Sequence, residues 1–304
     1  MTGVKQGDPL SAILFSIVID DIIKQLELRG NISTRLKQCS AYADDILITA
    51  RTKQTLIDTF GKLKNISSQY GLIVNESKTK YMKCTRRKIT MDNLRAGGAQ
   101  IDQVTSFSYL GSMVNGNNTL EEEIRERIAK GNKAFYANKT LYNSKLVSRK
   151  SKLKLYWSII RPIVTYGCET WVLKENIIQK LSVFERRILR KIFGPTKMND
   201  GTWRIKTNME LDNLIQHRNI INYVKSKRMS WFGHIHRKPE TSIVKKIYKW
   251  QPFATRPVGR PKNRWDDDVK NDLRKMKITK WSELAHDRLE WKKIVEKAKT
   301  LQEL

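Results

Sequence analysis

The sequence predicts an α+β fold, with helices and short strands up to about Asn115 and helices alone beyond it. Two observations support this. Apolar residues alternate between helical and strand periods in the first part, and they keep the helical period in the second. The chain has 304 residues and 39% hydrophobic content, which suffices for two domains and for a true core in at least one of them.

The charge of the chain is strongly positive and unevenly distributed. Its 59 Lys and Arg against 30 Asp and Glu give a net charge of +29. Residues 1–115 hold 16 basic and 10 acidic side chains, whereas the remainder holds 43 basic and 20 acidic, a net +23. Such a surplus repels itself unless an anionic partner offsets it, so nucleic acid is the leading partner. The alternative is a lysine-rich surface that is merely well solvated.

Several classes of protein are disfavoured. Cys39, Cys84 and Cys168 are too far apart for a disulfide framework or a C-x-x-C metal site, which fits a reduced, intracellular compartment. The first residues lack the basic and apolar regions of a signal peptide. No apolar run approaches the ~20 residues that span a bilayer, so we expect a soluble protein without membrane partners.

The first elements surround a pair of acids. Asp8 and Pro9 predict a helix start, and Gly30 is expected to end that helix. From Cys39 to Ala50 the pattern is strand-like, but Asp44 and Asp45 interrupt it, which predicts a hairpin with an acidic tip.

Further short elements complete the first part. A second helix carries Leu56 to Ile66 and is closed by Gly71, and an edge strand is predicted from Thr79 to Cys84. A loop at Gly97 and Gly98 leads to a short strand around Phe107 to Met113, and the turn at 116–118 closes the region.

The second part is predicted to be helical. Thr119 and Glu122 have the spacing of a capping box at a helix start. A long helix buries one apolar face and ends at Gly194 and Pro195. That face consists of Ile177, Ile178, Leu181, Phe184, Ile188 and Ile192, with Arg186, Arg187, Arg190 and Lys191 largely off it.

Four motifs occur in order along the first part. They are GVKQGDPLS at 3–11, Tyr42-Ala43-Asp44-Asp45 on the hairpin, the group Gly71, Leu72, Asn75, Lys78 and Thr79, and Tyr109-Leu110-Gly111. Together they resemble the reverse transcriptases of non-LTR retrotransposons. The resemblance implies a partial polymerase palm at 1–115, a helical thumb at 116–194 and a basic helical C-terminal region at 195–304.

The resemblance also implies a role for each motif, with Tyr109-Leu110-Gly111 on a primer-grip hairpin. Asp44 and Asp45 would be catalytic carboxylates that hold Mg²⁺, with Asp44 the firmer ligand; the alternative is a pair of solvated turn aspartates. The resemblance implies that deoxynucleoside triphosphates, an RNA template and a DNA primer contact a set of substrate-binding residues. That set comprises Gln6, Gly7, Tyr42, Tyr109, Leu110 and Gly111.

Two residues keep open alternatives. Lys78 matches the family's lysine that assists the pyrophosphate leaving group as an acid; the alternative is a surface strand lysine beside Lys80 and Lys83. Asp8 is either part of the substrate-facing segment or only a helix cap.

One element of the family pattern is not found. The first catalytic aspartate of these enzymes lies on a strand upstream of the GVKQGDPLS helix, and this sequence has five residues before Gln6. We therefore expect a chain that begins inside the palm. Two functions stay open: an RNA-directed DNA polymerase of a nuclear element, or a catalytically inactive remnant that binds nucleic acid.

The C-terminal region resembles the segment after the thumb in animal elements of this class, through YWSIIRPIVTYGCETW, RILRKIFG, RMSWFGHIHR and GRPKNRW. Its tryptophans interleave with basic residues, either to stack on bases or to pack helices. They are Trp157, Trp171, Trp203, Trp231, Trp250 and Trp265.

Three other groups of residues in this region could have either a functional or a structural role. Arg260 and Pro261 could be a minor-groove hook or a linker turn, and Asp266–Asp268 a metal site or a favourable helix start. His234 and His236 are poorly spaced for zinc.

Overall fold

The structure is a computed structural model that describes residues 7–26, 37–85, 90–250 and 264–301. It divides the chain into two compact units, residues 1–118 with 246–256 and residues 119–245 with 257–304. Strands are concentrated in the first unit and helices dominate the second, which confirms the predicted α+β class. None of the helices in these ranges has the length and apolar content that a membrane crossing requires.

The described part of the first unit alternates helices with short strands. In chain order these are α1 (Pro9–Gln25), β1 (Lys37–Tyr42), β2 (Asp45–Ala50), α2 (Lys53–Gln69), β3 (Lys80–Tyr81), β4 (Leu94–Ala96), β5 (Ala99–Gln103), β6 (Ser106–Tyr109) and β7 (Ser112–Asn115).

Helix α1 begins where the sequence predicts. Asp8 is its N-cap, and its Oδ1 accepts a hydrogen bond from the Leu10 N–H at 2.9 Å, with Pro9 at the first helical position. The helix ends at Gln25, so the expected end at Gly30 is wrong, and Gly30 itself lies outside the described residues. Local capping chemistry therefore determines the start of α1, but the expected glycine does not determine its end.

Two small cores hold the first unit together, and α2 contributes to both. Leu63 of α2 packs with Ile22 of α1 and with the inner face of the β1–β2 hairpin. Phe60 of α2 packs with the strands that follow, including Leu94 and Ile101. Because α2 supplies apolar side chains to both, it joins the hairpin to the later strands.

The strands after α2 differ from the prediction. The expected strand from Thr79 to Cys84 is reduced to the two residues of β3, which pair in parallel with β5. Gly97 and Gly98, at φ +53° and +79°, form the tight turn between β4 and β5. The single strand expected around Phe107 to Met113 is instead the hairpin β6–β7.

The second unit is a helical assembly with one small hairpin. Its described elements are α3 (Glu121–Ala137), α4 (Lys139–Asn143), α5 (Arg149–Leu155), a π-helical turn (Tyr156–Ile160), α6 (Arg161–Val164), a 3₁₀ turn (Cys168–Thr170), α7 (Glu175–Phe193), β8 (Thr196–Lys197), β9 (Trp203–Arg204), α8 (Asn208–Leu214), α9 (Ile220–Arg237), α10 (Ile243–Lys249), α11 (Trp265–Lys275), α12 (Trp281–His286) and α13 (Arg288–Ala298). The boundary between the units crosses α10.

The core of the second unit is organised by α7. The predicted apolar face is buried except for Ile178, which is half-buried, and Gly194 at φ +71° ends the helix as expected. The predicted capping box at Thr119 and Glu122 is wrong, because α3 has Leu120 at its N-cap without a capping side chain. The helix starts one residue later than the spacing suggests.

An internal ion-pair network explains the acidic start of α11. Arg228 of α9 is fully buried, and it donates to Asp268 at 2.7 Å and to Asp272 at 3.2 Å. Asp268 also accepts from the backbone N–H of Leu173 at 2.8 Å. Asp268 therefore neutralises a buried guanidinium, which argues against the metal reading of this cluster.

The six tryptophans that the sequence singles out serve packing in most cases, although one of them, Trp250, belongs to the first unit. Trp171 is buried, whereas Trp157, Trp231 and Trp265 are half-buried, and Trp203 and Trp250 are exposed. The packing interpretation of the tryptophans therefore holds for four of the six positions. The two exposed tryptophans require another explanation.

His236 is part of the same aromatic packing and gives no support to a zinc site. It packs on Phe232 and Trp281, and burial lowers its pKa to about 4. Arg260 and Pro261 lie outside the described residues.

A buried carboxyl group lies inside the helical core. Glu185 of α7 accepts hydrogen bonds from the Tyr156 hydroxyl at 2.8 Å and from the Ile220 backbone N–H at 2.7 Å. Burial raises the pKa of Glu185 to about 7, despite these bonds and the nearby positive charge of Arg161. The folded state therefore keeps the proton of Glu185 up to about pH 7, well above the ordinary range of a glutamate.

Replacement of Glu185 by Gln is expected to remove a pH dependence of stability. The folded-state pKa is raised, so Glu185 stabilises fully below its ordinary pKa of 4.5 and loses that contribution as pH rises through about 7. The difference amounts to about 3 kcal/mol. Urea unfolding followed by circular dichroism at about pH 5 and about pH 8 measures it. Between these two pH values the free energy of unfolding of Glu185→Gln should rise by about 2–3 kcal/mol relative to that of the wild type, because part of the effect is already present at about pH 5; parallel pH profiles would contradict this.

Candidate active site

The acidic hairpin tip has the predicted geometry. Tyr42 and Asp45 face each other as the last pair of the β1–β2 ladder, and Ala43 and Asp44 form the two-residue turn. Ala43 has φ +52°, the left-handed conformation that such tight turns require. Tyr42, Asp44 and Asp45 are all exposed. The turn therefore presents two carboxylates and an aromatic ring to solvent.

The orientation of the tip follows from the alternation of side chains along β1 and β2. Ile46 and Ile48 pack against the core formed by α1 and α2, together with Ala41 and Cys39 opposite them. Because successive side chains in a strand point to opposite faces, Asp45 lies on the face away from that core. Apolar packing on one side therefore holds the acid pair in place on the other.

The acid pair has the chemistry of a divalent-metal ligand. Carboxylate oxygens are the hard ligands that Mg²⁺ prefers, and Mg²⁺ usually keeps several waters and binds substrate phosphates besides one or two carboxylates. Within the described ranges, no three His, Cys, Asp or Glu side chains are grouped so that they could hold a metal ion. Asp44 and Asp45 thus fit as part of a metal site.

The segment before α1 forms a second feature of the candidate site. Gly7 has φ +93° and is exposed, and the N-terminal N–H groups of α1 follow it. At this helix start Pro9 has no N–H, and the N–H groups of the next two residues are bonded to Asp8, so the first three residues of α1 offer no free backbone donor to a phosphate. Asp8 is occupied as the helix cap, so its structural role is established. Gln6 lies outside the described residues.

The second hairpin lies near the acidic one. Leu110 and Gly111, at φ +47° and +77°, form the two-residue turn between β6 and β7. Tyr109, just before the turn, pairs with Ser112, just after it. The pKa of Tyr109 is raised by burial and further by the negative charge of Asp45. Tyr109 therefore lies close enough to Asp45 for its pKa to be affected by the charge of that carboxylate.

Lys78 lies on a turn instead of a strand. Its backbone N–H donates to the Asn75 side chain at 3.1 Å, and the Thr79 hydroxyl donates to the Asn75 carbonyl at 2.8 Å. The side chain of Lys78 is exposed. Asn75 therefore shapes the turn that presents Lys78 just before β3, which corrects the reading of Lys78 as a strand lysine.

A basic surface lies on α7 in the second unit. Arg187 and Lys191 are exposed, and Lys191 Nζ lies 5.2 Å from the ring centroid of Tyr136. In contrast, Arg190 is half-buried and donates to the Lys206 carbonyl at 3.3 Å and to Asn208 at 2.8 Å. Arg186 is also half-buried. Of the four basic residues that the sequence places off the apolar face of α7, Arg187 and Lys191 are therefore the two that are exposed.

Comparison with known proteins relates residues 1–114 to one family. Residues 1–114 match the profile of the family described as reverse transcriptase (RNA-dependent DNA polymerase). A Caenorhabditis elegans protein described as transposon-derived is 28% identical over 269 residues, which cover 85% of this chain and 95% of that protein.

Two Drosophila melanogaster proteins are similar over smaller parts. The Pol polyprotein from the type-2 retrotransposable element R2DM is 37% identical over 78 residues, 25% of this chain and 7% of the relative. A protein named as the probable RNA-directed DNA polymerase from transposon X-element is 23% identical over 204 residues, 63% of this chain and 22% of the relative. The chain thus spans less than a quarter of either of these two.

Proposed function

We propose that this chain, whose first 114 residues match the reverse transcriptase family, contributes to RNA-templated DNA synthesis of the non-LTR retrotransposon type by a two-metal mechanism. The observation that carries the proposal is the exposed acid pair Asp44 and Asp45 on a hairpin tip that core packing holds in place. The activity is nucleotidyl transfer from a deoxynucleoside triphosphate to a DNA primer paired with an RNA template.

The proposed roles follow the chemistry of the reaction. A primer hydroxyl attacks the triphosphate in line, and two Mg²⁺ ions, when bound, stabilise the attacking and leaving oxygens. Asp44 and Asp45 would hold these ions through their carboxylate oxygens, with Asp44 as the principal ligand. Lys78 would donate a proton to the pyrophosphate leaving group.

The substrate-binding roles are assigned to the residues around the tip. Gly7, with Gln6 before it, would face the nascent base pair at the start of α1, and Tyr42 would flank it beside the acid pair. The turn Tyr109-Leu110-Gly111 would contact the primer, which is consistent with the effect of Asp45 on the pKa of Tyr109. In this proposal residues 1–115 act as palm, 116–194 as thumb and 195–304 as a basic extension, within an element that works in the nucleus.

The proposal includes a dependence on a further carboxylate. Polymerases of this family take their first catalytic aspartate from a strand that precedes the segment matched here. Asp44 and Asp45 lie on a single hairpin, so synthesis would need that strand in addition.

Primer extension on an RNA template with Mg²⁺ tests the proposal. This chain joined to the upstream palm and fingers of a related element is expected to extend the primer, whereas the 304 residues alone are not. Extension by the 304 residues alone would contradict the dependence on the upstream strand. Failure of the joined protein to extend, with RNA binding intact, would exclude the polymerase assignment for this chain.

Charge favours a second candidate, a nucleic-acid-binding protein without catalysis. The residues after Asn115 carry a net +23 of the total +29, and neutralisation of phosphates by Lys and Arg gives affinity that does not depend on sequence. This function requires neither Asp44 nor Asp45.

Binding of residues 116–304 to single-stranded RNA is expected to weaken steeply with salt, with a log–log slope of about −0.7 per phosphate contacted. The two variants that follow are measured in the full chain. Replacing Arg187 and Lys191 by Gln removes two exposed charges of α7, so the salt slope should fall in magnitude by about 1.4. Lys62 and Arg95, exposed in the first unit, provide the matched double Gln control. A salt-independent affinity would show that the positive surface is merely solvated.

A further inference from the structure

The β8–β9 hairpin presents a tryptophan that the helical core does not use. Trp203 is 65% exposed, although tryptophans at Trp171 and Trp291 in the same unit are almost fully buried. It begins β9, and Ile205 just after the strand is 73% exposed. An exposed indole ring loses the stabilisation that burial of its large apolar surface would give. We therefore expect this ring to contact a partner.

The hairpin that carries Trp203 is held rigidly. At its tip, Asp200 Oδ1 accepts from the Thr202 N–H at 2.9 Å and from the Thr202 hydroxyl at 2.6 Å. At its base, Arg204 binds Glu210 of α8 through two hydrogen bonds of 2.9 and 2.6 Å, which lower the pKa of Glu210 to about 2. Little conformational freedom would be lost when a ligand contacts the ring.

Arg204 and Trp203 lie on opposite faces of the hairpin. Arg204 turns inward to Glu210, and adjacent strand residues alternate in direction, so Trp203 points outward. Lys197 is directly opposite Trp203 in the ladder, and it is exposed. Cross-strand partners share a face at about 5 Å between Cβ atoms. The outer face therefore combines an aromatic ring with a cation.

The charge around this face indicates the class of partner. Residues 195–206, which form the hairpin and its flanks, contain three basic side chains and one acidic one, Asp200, and Arg204 is paired inward with Glu210. A protein partner for such a patch would have to be acidic, whereas nucleic acid offers phosphates for the cations and base faces for the ring. In a duplex the base faces are covered by their neighbours, so an exposed ring selects unpaired nucleotides.

We propose that the β8–β9 hairpin is a stacking platform for single-stranded nucleic acid, with Trp203 stacked on an unpaired base and Lys197 on an adjoining phosphate. This inference rests on the proposed nucleic-acid function and adds a site of base contact to it. Phosphate contacts alone do not distinguish a strand with bases from one without them, but stacking does.

Binding of the full chain to two fluorescent single strands tests the site: oligo-dT and an abasic strand of the same length, which has the same phosphates but no bases. We expect the wild type to prefer oligo-dT by about tenfold, since stacking on one aromatic ring is worth about that factor or more. Trp203→Ala is expected to reduce the preference to less than about twofold, and Trp203→Phe to keep most of it. Lys197→Gln should instead lower the salt slope by about 0.7 on both strands.

Ile205→Ala is the matched control, because it removes an equally exposed apolar side chain without a π-face. It should leave the preference for oligo-dT unchanged. Equal binding of the two strands by the wild type, or an unchanged preference in Trp203→Ala, would overturn the platform while phosphate binding stood. Loss of preference in Ile205→Ala would mean that general apolar contact is involved and would also overturn it. Absence of binding to either strand at low salt would instead remove the proposed function.

Discussion

Replacing Asp44 by Asn is expected to lower primer extension by about a thousandfold or more in a polymerase that contains this chain and an upstream palm. The change keeps the shape of the side chain but removes the negative charge that holds the metal ions. Metal ions supply several kcal/mol of transition-state stabilisation, and about 4 kcal/mol corresponds to a factor of about a thousand. Extension rates on an RNA template at saturating Mg²⁺ measure the effect.

Two companion variants make this result specific to the hairpin tip. Asp45→Asn should cost less than Asp44→Asn, because Asp44 is proposed as the principal ligand. Asp58→Asn provides the control: Asp58 is exposed on α2 and is bonded only locally, to Gln54 at 2.8 Å. Extension that survives in Asp44→Asn would remove the hairpin from the mechanism. An equal loss in Asp58→Asn would attribute the defect to general destabilisation.

Elements with a strong local signal could be predicted from the sequence. The start of α1 depends on Asp8 and Pro9, which act within one helical turn. The end of α7 depends on Gly194, and its buried face depends on a helical period repeated over five turns. The acidic turn was also predictable, because two aspartates cannot occupy the centre of an apolar strand without partners.

Elements decided by tertiary contacts could not be predicted. The parallel pair of β3 with β5 joins Lys80 to Asp102, and no local rule specifies that register. The residue pattern indicates one strand where the hairpin β6–β7 lies, because the turn Leu110-Gly111 lacks the Asn-Gly or Asp-Gly sequence that usually marks such turns; only the family resemblance implies a hairpin there. The start of α3 also differs from the prediction. The capping-box spacing indicates Thr119 as the N-cap, whereas the structure has Leu120 at that position.

The residues of the candidate sites also divide into those with a local sequence signal and those decided by tertiary contacts. Asp44 and Asp45 are identifiable from a motif, and the structure shows how packing orients them. The sequence leaves open whether Trp203 packs in the core or is exposed for stacking, although tryptophan in a helical protein is usually buried. A signal is present in the sequence: Asn199, Asp200 and Gly201 favour a tight turn between β-forming residues. The burial of Glu185 has no such signal, since it depends on α9 and the π-helical turn packing over it.

The packing of α9 gives a large expected effect at a residue without a side chain. A Cβ atom on Gly233 would lie 2.2 Å from Trp291 Nε1 and 2.4 Å from its Cδ1. Trp291 of α13 is 2% exposed, and its indole N–H donates to the Met229 carbonyl at 2.8 Å. Glycine is therefore required for α9 and α13 to approach this closely.

Gly233→Ala is consequently expected to destabilise the second unit by about 4 kcal/mol, from about 1–3 kcal/mol of overpacking and about 1–3 kcal/mol for the indole hydrogen bond. Gly61→Ala is the matched control: Gly61 is inside α2, has open space around its Cα, and should gain about 0.5–1 kcal/mol from helix propensity. Hydrogen exchange of peptides covering α9 and α13 reports the local free energy of opening, separately from the first unit. Because the two substitutions are chemically identical, opposite signs at the two sites would isolate the contact with Trp291. Unchanged protection of α9 and α13 in Gly233→Ala would show that the two helices do not pack through this glycine.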